Sequence, residues 1–425
     1  MKRFMVYAVC VTAMIVGLAR AYGDTVAVKP VSNLTVSGFG YFMFGQIVSG
    51  VAGDVYSNSI AHYWQDIGDV NFTVTSKPND WFLARAGLEM QTYYPIQFAA
   101  MDKASYYIQF QGFLPQAEGV FHWKFQNPIL SSLEIESGVF QYTFNPEVKN
   151  LGNYLYRSTA KPLSIQSKID YPWANLMGAR AQTGFFSDKV KVEAILNSEY
   201  QYPPWYDWSL GFTASYAPNK VVDVGAGICL AHQFSAICGT MTDSLQKQWK
   251  ATKVDARVIL DPKPLIGNPS LFGSEDLKIY GEAAILGFKD TQEYSYIPPN
   301  NLLHRMPFLL GINIPTFKIL DMFSIEMEWF NSPYPNDYFG RFDQNSPLSI
   351  DITGDSAAID NYIYKDNFKW SFFLKKSISN FEIRTYLASD HSIYKVFKLE
   401  NLSCFQQTLK RPKDWQWFVE LRYNL

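Results

Sequence analysis

Residues 415–425 read Trp-Gln-Trp-Phe-Val-Glu-Leu-Arg-Tyr-Asn-Leu, and they decide the fold class of this chain. Apolar or aromatic side chains occupy positions 415, 417, 419, 421, 423 and 425, while the positions between them are mostly polar. A β-strand turns successive side chains to opposite faces, so one face of this segment is apolar and the other is polar. A strand with lipid on one side and water on the other needs this period of two. The segment therefore predicts a membrane-spanning β-strand.

The same segment resembles the terminal strand of Gram-negative outer-membrane β-barrel proteins. Trp417, Leu421, Tyr423 and Leu425 carry the resemblance, although Leu425 stands where that family usually has Phe. The resemblance implies that these four side chains face lipid and form the signal that the barrel-assembly machinery reads. We also expect this strand to pair with the first strand of the barrel.

The start of the chain predicts export. Lys2 and Arg3 precede an apolar run from Phe4 to Leu18, and Ala19-Arg20-Ala21 follows the run. This is the arrangement of a secretory signal peptide with a small-residue cleavage site. The run is shorter than the roughly 20 residues that a spanning helix needs, which argues against a membrane anchor. We expect residues 1–21 to be a cleaved signal peptide and residues 22–425 to be one outer-membrane β-barrel.

Composition excludes several other classes of protein. Aromatic residues make up 16% of the chain and charged residues only 18%, a balance that suits a surface facing lipid. The formal net charge of −2 argues against nucleic acid as a partner. Composition alone leaves a large soluble β-sandwich as the alternative. The odd number of cysteines after the signal peptide excludes a full disulfide framework, and a bridge between Cys229 and Cys238 stays open.

Segments with a period of two recur between turn residues and predict an all-β, antiparallel transmembrane barrel of about sixteen strands. Short connections such as 186–189 and 217–220 alternate with long ones, as expected for a barrel with tight turns at one end and loops at the other. Two connections, 94–103 and 262–274, fall on the turn side and are not tight. The segments are 34–48, 80–93, 104–114, 118–126, 131–144, 172–185, 188–199, 206–217, 220–233, 248–261, 275–288, 305–315, 320–331, 366–376, 380–390 and 413–425.

The long connection after the fifth segment predicts a loop inside the barrel. Residues 145–163 combine Gly, Asn and Pro with Leu151, Tyr154, Leu155 and Tyr156, which a loop exposed to water would not need. In this the chain resembles sixteen-stranded porins, in which the loop after the fifth strand folds inward and narrows the pore. The resemblance implies a pore constriction, in which the basic residues lie across from Glu134, Glu136, Glu326 or Glu328. The alternative is a loop that caps the mouth. The expected constriction residues are Glu147, Lys149, Arg157 and Lys161.

Charged residues on the second face of the strands predict a polar lumen, because Lys or Arg facing lipid costs about 2–4 kcal/mol at mid-membrane. Opposed charges on a pore wall select solutes by size and charge, although the alternative is that they only pair with one another. Acids and bases are nearly balanced, which predicts weak ion selectivity. The expected wall residues are Arg85, Glu89, Glu134, Glu136, Arg180, Lys253, Arg257, Glu326, Glu328, Arg384 and Arg422.

Three functions remain as hypotheses. The leading one is a porin-type passive diffusion channel for small hydrophilic solutes, without a cofactor or metal site and with a homotrimer among the possible assemblies. The second is an outer-membrane barrel enzyme of the lipase or protease type, for which His232 and Ser235 are the best candidate catalytic residues. The chain carries neither H-E-x-x-H nor G-x-S-x-G, which argues against this enzyme. The third is a structural or adhesive barrel with an occluded lumen.

Overall fold

The computed structural model describes most of the chain after residue 33. The described residues are 34–52, 58–59, 61–93, 96–97, 109–156, 174–198, 208–234, 251–267, 269–288, 302–330, 367–391, 393–397, 403–407, 409 and 411–425. The expected signal peptide, residues 1–21, lies outside them.

Sixteen antiparallel strands close into one barrel, which confirms the predicted all-β fold and strand number. Each strand pairs with its neighbours in sequence, and the first strand also pairs with the last, from Phe39 opposite Asn424 to Ile47 opposite Gln416. The strands are β1 (Leu34–Ser49), β2 (Tyr63–Ser76), β3 (Phe82–Tyr93), β4 (Gln109–Lys124), β5 (Leu130–Tyr142), β6 (Ala174–Phe185), β7 (Val190–Ser198), β8 (Trp208–Tyr216), β9 (Val222–Phe234), β10 (Ala251–Leu260), β11 (Ile279–Ile285), β12 (Pro307–Asn313), β13 (Met322–Phe330), β14 (Phe368–Ile378), β15 (Phe381–Ser389) and β16 (Trp415–Asn424).

The side chains alternate between an apolar outer surface and a largely polar interior. On β16, Leu421 and Tyr423 point outward and are 48% and 42% exposed, whereas Glu420 and Arg422, which alternate with them, are buried inside. The last residue, Leu425, also points outward, and its backbone N–H donates to the Gly38 carbonyl at 2.9 Å. The assembly-signal side chains therefore lie on the outer face of a strand paired with β1. Their reading by assembly machinery stays a prediction.

The connections differ at the two ends of the barrel. One end, named the turn end, has the connections 77–81, 125–129, 186–189, 217–221, 261–278, 314–321 and 379–380. The other end, named the loop end, has 50–62, 94–108, 143–173, 199–207, 235–250, 286–306, 331–367 and 390–414. Three of the tight turns share one device, in which an Asn side chain accepts hydrogen bonds from backbone N–H groups two and three residues later. Asn side chains favour such turns because they satisfy backbone donors locally.

Two predicted strand assignments were wrong, and their errors cancel in the count. Residues 63–76, predicted as part of a loop, form β2. Residues 109–114 and 118–124 of the predicted segments 104–114 and 118–126 belong to the single strand β4, and residues 104–108 lie outside the described residues. The break between them is a β-bulge, because Gly87 pairs with Gln116 and Glu89 pairs with Phe113, leaving Leu114 and Pro115 opposite one residue. Proline has no N–H to donate, so it is tolerated within a sheet at such a bulge.

The corrected strand order also resolves one of the two irregular connections. Residues 94–103 belong to a loop-end connection, where length is expected. The connection 261–278 remains at the turn end and is not tight. Two short 3-10 turns fill it, at Lys263–Leu265 and Pro269–Leu271, and Asp276 accepts hydrogen bonds from the Gly273 and Phe317 backbone. Among the described residues, no helix is long and apolar enough to cross a membrane.

Candidate constriction inside the barrel

The described part of the connection after β5 runs inside the barrel. Residues 143–156, named the first inner loop, bury Asn145, Val148 and Leu155 completely. Leu155 and Tyr156 pack on an apolar cluster of β5, β6, β7 and β9, which includes Phe140 and Ile195. Leu151 and Tyr154 pack on a second cluster, formed by β10 to β13. The first inner loop therefore contacts two different arcs of the wall.

Its farthest anchor is Glu326 on β13, half-way around a sixteen-strand barrel from β5. The backbone N–H groups of Lys149, Asn150 and Leu151 donate to this carboxylate at 2.5, 2.9 and 2.9 Å. Hydrogen bonds from N–H groups to a charged acceptor are stronger than those between neutral groups. The buried charge and the backbone donors satisfy one another, so the carboxylate fixes this segment across the lumen.

A tight bend lets the chain turn back after this anchor. Gly152 and Asn153 both have positive φ, 81° and 60°. A Cβ on Gly152 would approach Glu282 Oε2 to 3.0 Å and Val148 Cγ1 to 3.1 Å, so glycine suits both the conformation and the space. The Asn153 side chain accepts from the Asn145 N–H at 2.7 Å and closes the bend. Beyond it, the Tyr154 N–H donates to Glu282 Oε1 at 2.8 Å.

The structure describes two of the four expected constriction residues, and these two make different contacts. Glu147 forms an ion pair with Lys278 at 2.9 Å near the turn end. Lys149 contacts Glu326 through its backbone. Its side chain is largely buried, and burial lowers the pKa of its ammonium group despite the opposing effect of Glu147. Arg157 and Lys161 lie outside the described residues.

Of the four predicted wall acids, two contact the described part of the loop and two bind a wall residue. Glu134 and Glu136 do not receive a loop base among the described residues. They bind Arg180 of the neighbouring strand β6, at 2.6 and 3.0 Å. Glu328 accepts a hydrogen bond from the Tyr154 hydroxyl at 2.6 Å. The described part of the loop contacts Glu326 and Glu328 through backbone N–H groups and a tyrosine hydroxyl. The pairing of Arg157 or Lys161 with wall acids stays a prediction.

The wall from β3 to β7 carries paired charges that remain partly accessible. Arg85 binds Glu118 at 2.7 Å, and Arg180 also reaches Glu193 at 3.7 Å. The Arg85 and Arg180 side chains are 38% and 18% exposed. Glu193 accepts from the hydroxyls of Tyr142 and Thr213 as well. Glu89, on the same arc, accepts from Asn71 at 3.2 Å.

The remaining wall residues form a second set of pairs. Arg384 contacts Glu382 and lies 3.7 Å from Glu420, which also binds Arg422 at 2.7 Å. The Arg422 guanidinium lies over the Phe39 ring, 4.2 Å from its centroid. Arg257 binds Asp223 at 3.1 Å and lies on the same strand as Lys253, which is 7% exposed. All the wall residues chosen from the sequence thus face the interior, and most charges have a neighbour of opposite sign.

A second segment enters the lumen, and the sequence reading missed it. Residues 390–391, 409 and 411–414, named the second inner loop, follow β15 and include Asp390, His391 and Leu409, all buried. Leu409 packs against inward side chains of β1 and β16, among them Met43 and Phe418. The sequence gives no signal for this path, because the residues resemble those of any surface loop.

The residues described here hold no group of His, Cys, Asp and Glu side chains arranged to bind a metal ion. The His232 side chain and Ser235 lie outside the described part of the structure.

No family model and no curated protein matches this chain. Among solved structures, a mutant of Rh. blastica porin covers 92% of this chain and 100% of its own, with 10% identity and a TM-score of 0.41. Salmonella typhi OmpF in complex with daunomycin covers 94% and 99%, with 10% identity and a TM-score of 0.47. These values carry no functional assignment, and the fold is established by the strand order and register above.

Proposed function

We propose that this protein is a porin-type channel that lets small hydrophilic solutes diffuse passively across the outer membrane. The observation that carries the proposal is the first inner loop, which crosses a charged barrel interior from β5 to Glu326 on the opposite wall. An interior of this polarity suits water and polar solutes, while the apolar outer surface suits lipid.

In this mechanism no residue performs covalent chemistry. The first inner loop narrows the passage, and the partly exposed pairs of Arg85 with Glu118 and of Arg180 with Glu134 line the wall beside it. Solutes are selected by the width of the passage and by the charges that border it. The pairing of the charges supports a weak overall preference between cations and anions.

Further parts of the proposal concern the setting of the channel. We expect export by residues 1–21, a Gram-negative outer membrane, insertion by the barrel-assembly machinery and no enzymatic activity, cofactor or nucleic-acid partner. A homotrimer is the assembly to test first by mass measurement in detergent.

The deciding experiment is conductance of the purified protein in a planar lipid bilayer. A channel gives stepwise current increases, and deletion of residues 146–155 should enlarge each step because it removes the segment that crosses the lumen. An internal deletion within another loop-end connection, residues 237–246, serves as the control for loop length. A silent bilayer with correctly folded protein would reject the proposal and favour an occluded structural barrel.

A further inference from the structure

We infer that the second inner loop is a second half of the constriction, and that Glu328 and Asp390 are positioning residues that hold both inner loops as one unit. The inference rests on the proposed channel function. It goes beyond that function because it brings the connection after β15 into the constriction and gives Glu328 and Asp390 the role of joining the two loops.

Two backbone carbonyls anchor the second inner loop, one inside the barrel and one at its rim. Inside, the Lys369 ammonium group donates to the Leu409 carbonyl. At the rim, Trp370 Nε1 on the outward face of β14 donates to the Pro412 carbonyl at 3.0 Å. At the end of the loop, Arg411 binds the Asp414 carboxylate, which also accepts from the Ser49 hydroxyl of β1 at 2.9 Å. These contacts hold the loop against β14 and β1, a different part of the wall from that used by the clusters beneath Leu155 and Tyr156.

The connection between these anchors extends across the loop end. Strands Ile393–Phe397 and Ser403–Gln407 form a hairpin, and the first of them pairs in parallel with Ile96–Gln97. Residues 96–97 belong to the connection between β3 and β4. The hairpin therefore joins two loop-end connections that are separated by β16, β1, β2 and β3 around the barrel.

Two buried carboxylates join the inner loops to each other. Glu328 on β13 accepts from the Tyr154 hydroxyl of the first inner loop with Oε2, at 2.6 Å. Its other oxygen, Oε1, shares a hydrogen bond with His391 Nε2 of the second inner loop. Asp390 Oδ2 accepts from the Asn150 side-chain amide at 2.8 Å, and Asp390 Oδ1 accepts from Gln416 on β16 at 3.3 Å.

Burial makes these contacts mutually dependent. Glu328 and Asp390 are 1% and 0% exposed, so with both loops in place their partners are protein groups and not water. A buried carboxylate that loses a partner carries an uncompensated desolvation cost. Displacing either inner loop removes a partner from both carboxylates, so the two loops are expected to move together.

The test exchanges the two side chains that meet between the loops. Asn150→Asp alone places a second carboxylate against Asp390, and the repulsion should displace the loops and produce a current level larger than the normal one. The time spent in the larger level, divided by the time spent in the normal level, should rise by about 10- to 100-fold. The double variant Asn150→Asp with Asp390→Asn restores the contact with donor and acceptor reversed, and the amide oxygen then present at position 390 can still accept from Gln416. It should return the ratio to within about threefold of the original protein.

A tyrosine pair provides a matched control on the first inner loop. Tyr154→Phe removes the hydroxyl bound to Glu328 and should raise the same dwell-time ratio by about tenfold. Tyr156→Phe removes a buried hydroxyl that has no hydrogen-bond partner among the described residues, and it should leave the ratio unchanged. Migration of unheated protein in detergent gels verifies that each variant has closed its barrel.

Each outcome has one meaning. If the original protein does not conduct, the proposed function fails, whatever the variants do. If the original protein conducts and Asn150→Asp has normal current steps, the inference is overturned. It is also overturned if the exchange fails to rescue a fully assembled Asn150→Asp channel, because the contact between the loops would then not be what holds them.

Discussion

Replacing Glu326 by Gln should free the first inner loop from the opposite wall. One carboxylate oxygen accepts from the Lys149 N–H and the Tyr280 hydroxyl, and the other accepts from the N–H groups of Asn150 and Leu151. A glutamine offers one oxygen and one NH₂ group, so at least one backbone N–H then faces another donor. The remaining bonds also lose their charged acceptor.

The size of the effect follows from these losses. A hydrogen bond to a charged group contributes about 1.5–3 kcal/mol, so the loss of one or two corresponds to about 1.5–6 kcal/mol. At 1.4 kcal/mol per tenfold change, the released state of the loop should become about 10-fold to 20,000-fold more populated. Hydrogen exchange of the amides of residues 149–151 measures this population directly, and single-channel recording should show larger or noisier current steps.

Glu382→Gln is the control for removing a buried lumen carboxylate. Glu382 is 6% exposed and binds Lys375 and Arg384 near the turn end, away from the first inner loop. It should leave the exchange of amides 149–151 unchanged. Equal exchange in the original protein and in Glu326→Gln would refute the idea that this carboxylate holds the loop.

Two further predictions concern assembly and acid stability. The pair Tyr423→Asp and Leu425→Asp should impair membrane assembly without blocking secretion, because two charges then replace outward apolar groups. Normal amounts of heat-modifiable barrel would contradict this prediction. At Asp276, burial raises the pKa of the carboxyl group, but hydrogen bonds from Gly273, Thr316 and Phe317 outweigh burial and lower it overall. This group therefore stabilises the fold above its unfolded pKa of about 3.9 and loses its contribution as pH falls through the lower folded pKa. Asp276→Asn should lower the unfolding temperature at neutral pH and differ less from the original protein below about pH 4, and an equal deficit at all pH values would contradict the assignment.

The alternation of side chains predicted the barrel well where the outer face is uniformly apolar. On β16 every outward position from Trp415 to Tyr423 is apolar or aromatic. On β2 the alternation is clear from Asp69 to Thr75, but Asp66 and Gly68 point outward and Ile67 inward, which breaks it in the first half of the strand. At Pro115 a bulge shifts the alternation by one residue, and the sequence cannot distinguish that shift from a turn.

The position of the first inner loop could be predicted from its composition, but its contacts could not. Leu151 and Tyr154 lie inside the barrel, where the composition of the loop placed them. The partners of the wall acids could not be predicted, because the donors to Glu326 are backbone N–H groups, which every residue except proline has. No pattern in the sequence predicts the second inner loop, because its path depends on contacts with residues as distant as Ser49 and Asn150.

The pairing of Phe39 with Asn424 has a consequence for how this protein is made. Before that seam forms, the backbone groups on the open edges of β1 and β16 have no partner, and in the proposed membrane the hydrocarbon core offers no water to replace one. Joining them brings together positions almost the whole chain apart, and such non-local strand pairings form slowly. A sheet that has not closed is therefore unstable within the bilayer. Chains stalled short of closure should be found with chaperones or as degradation fragments, and not as smaller barrels in the membrane.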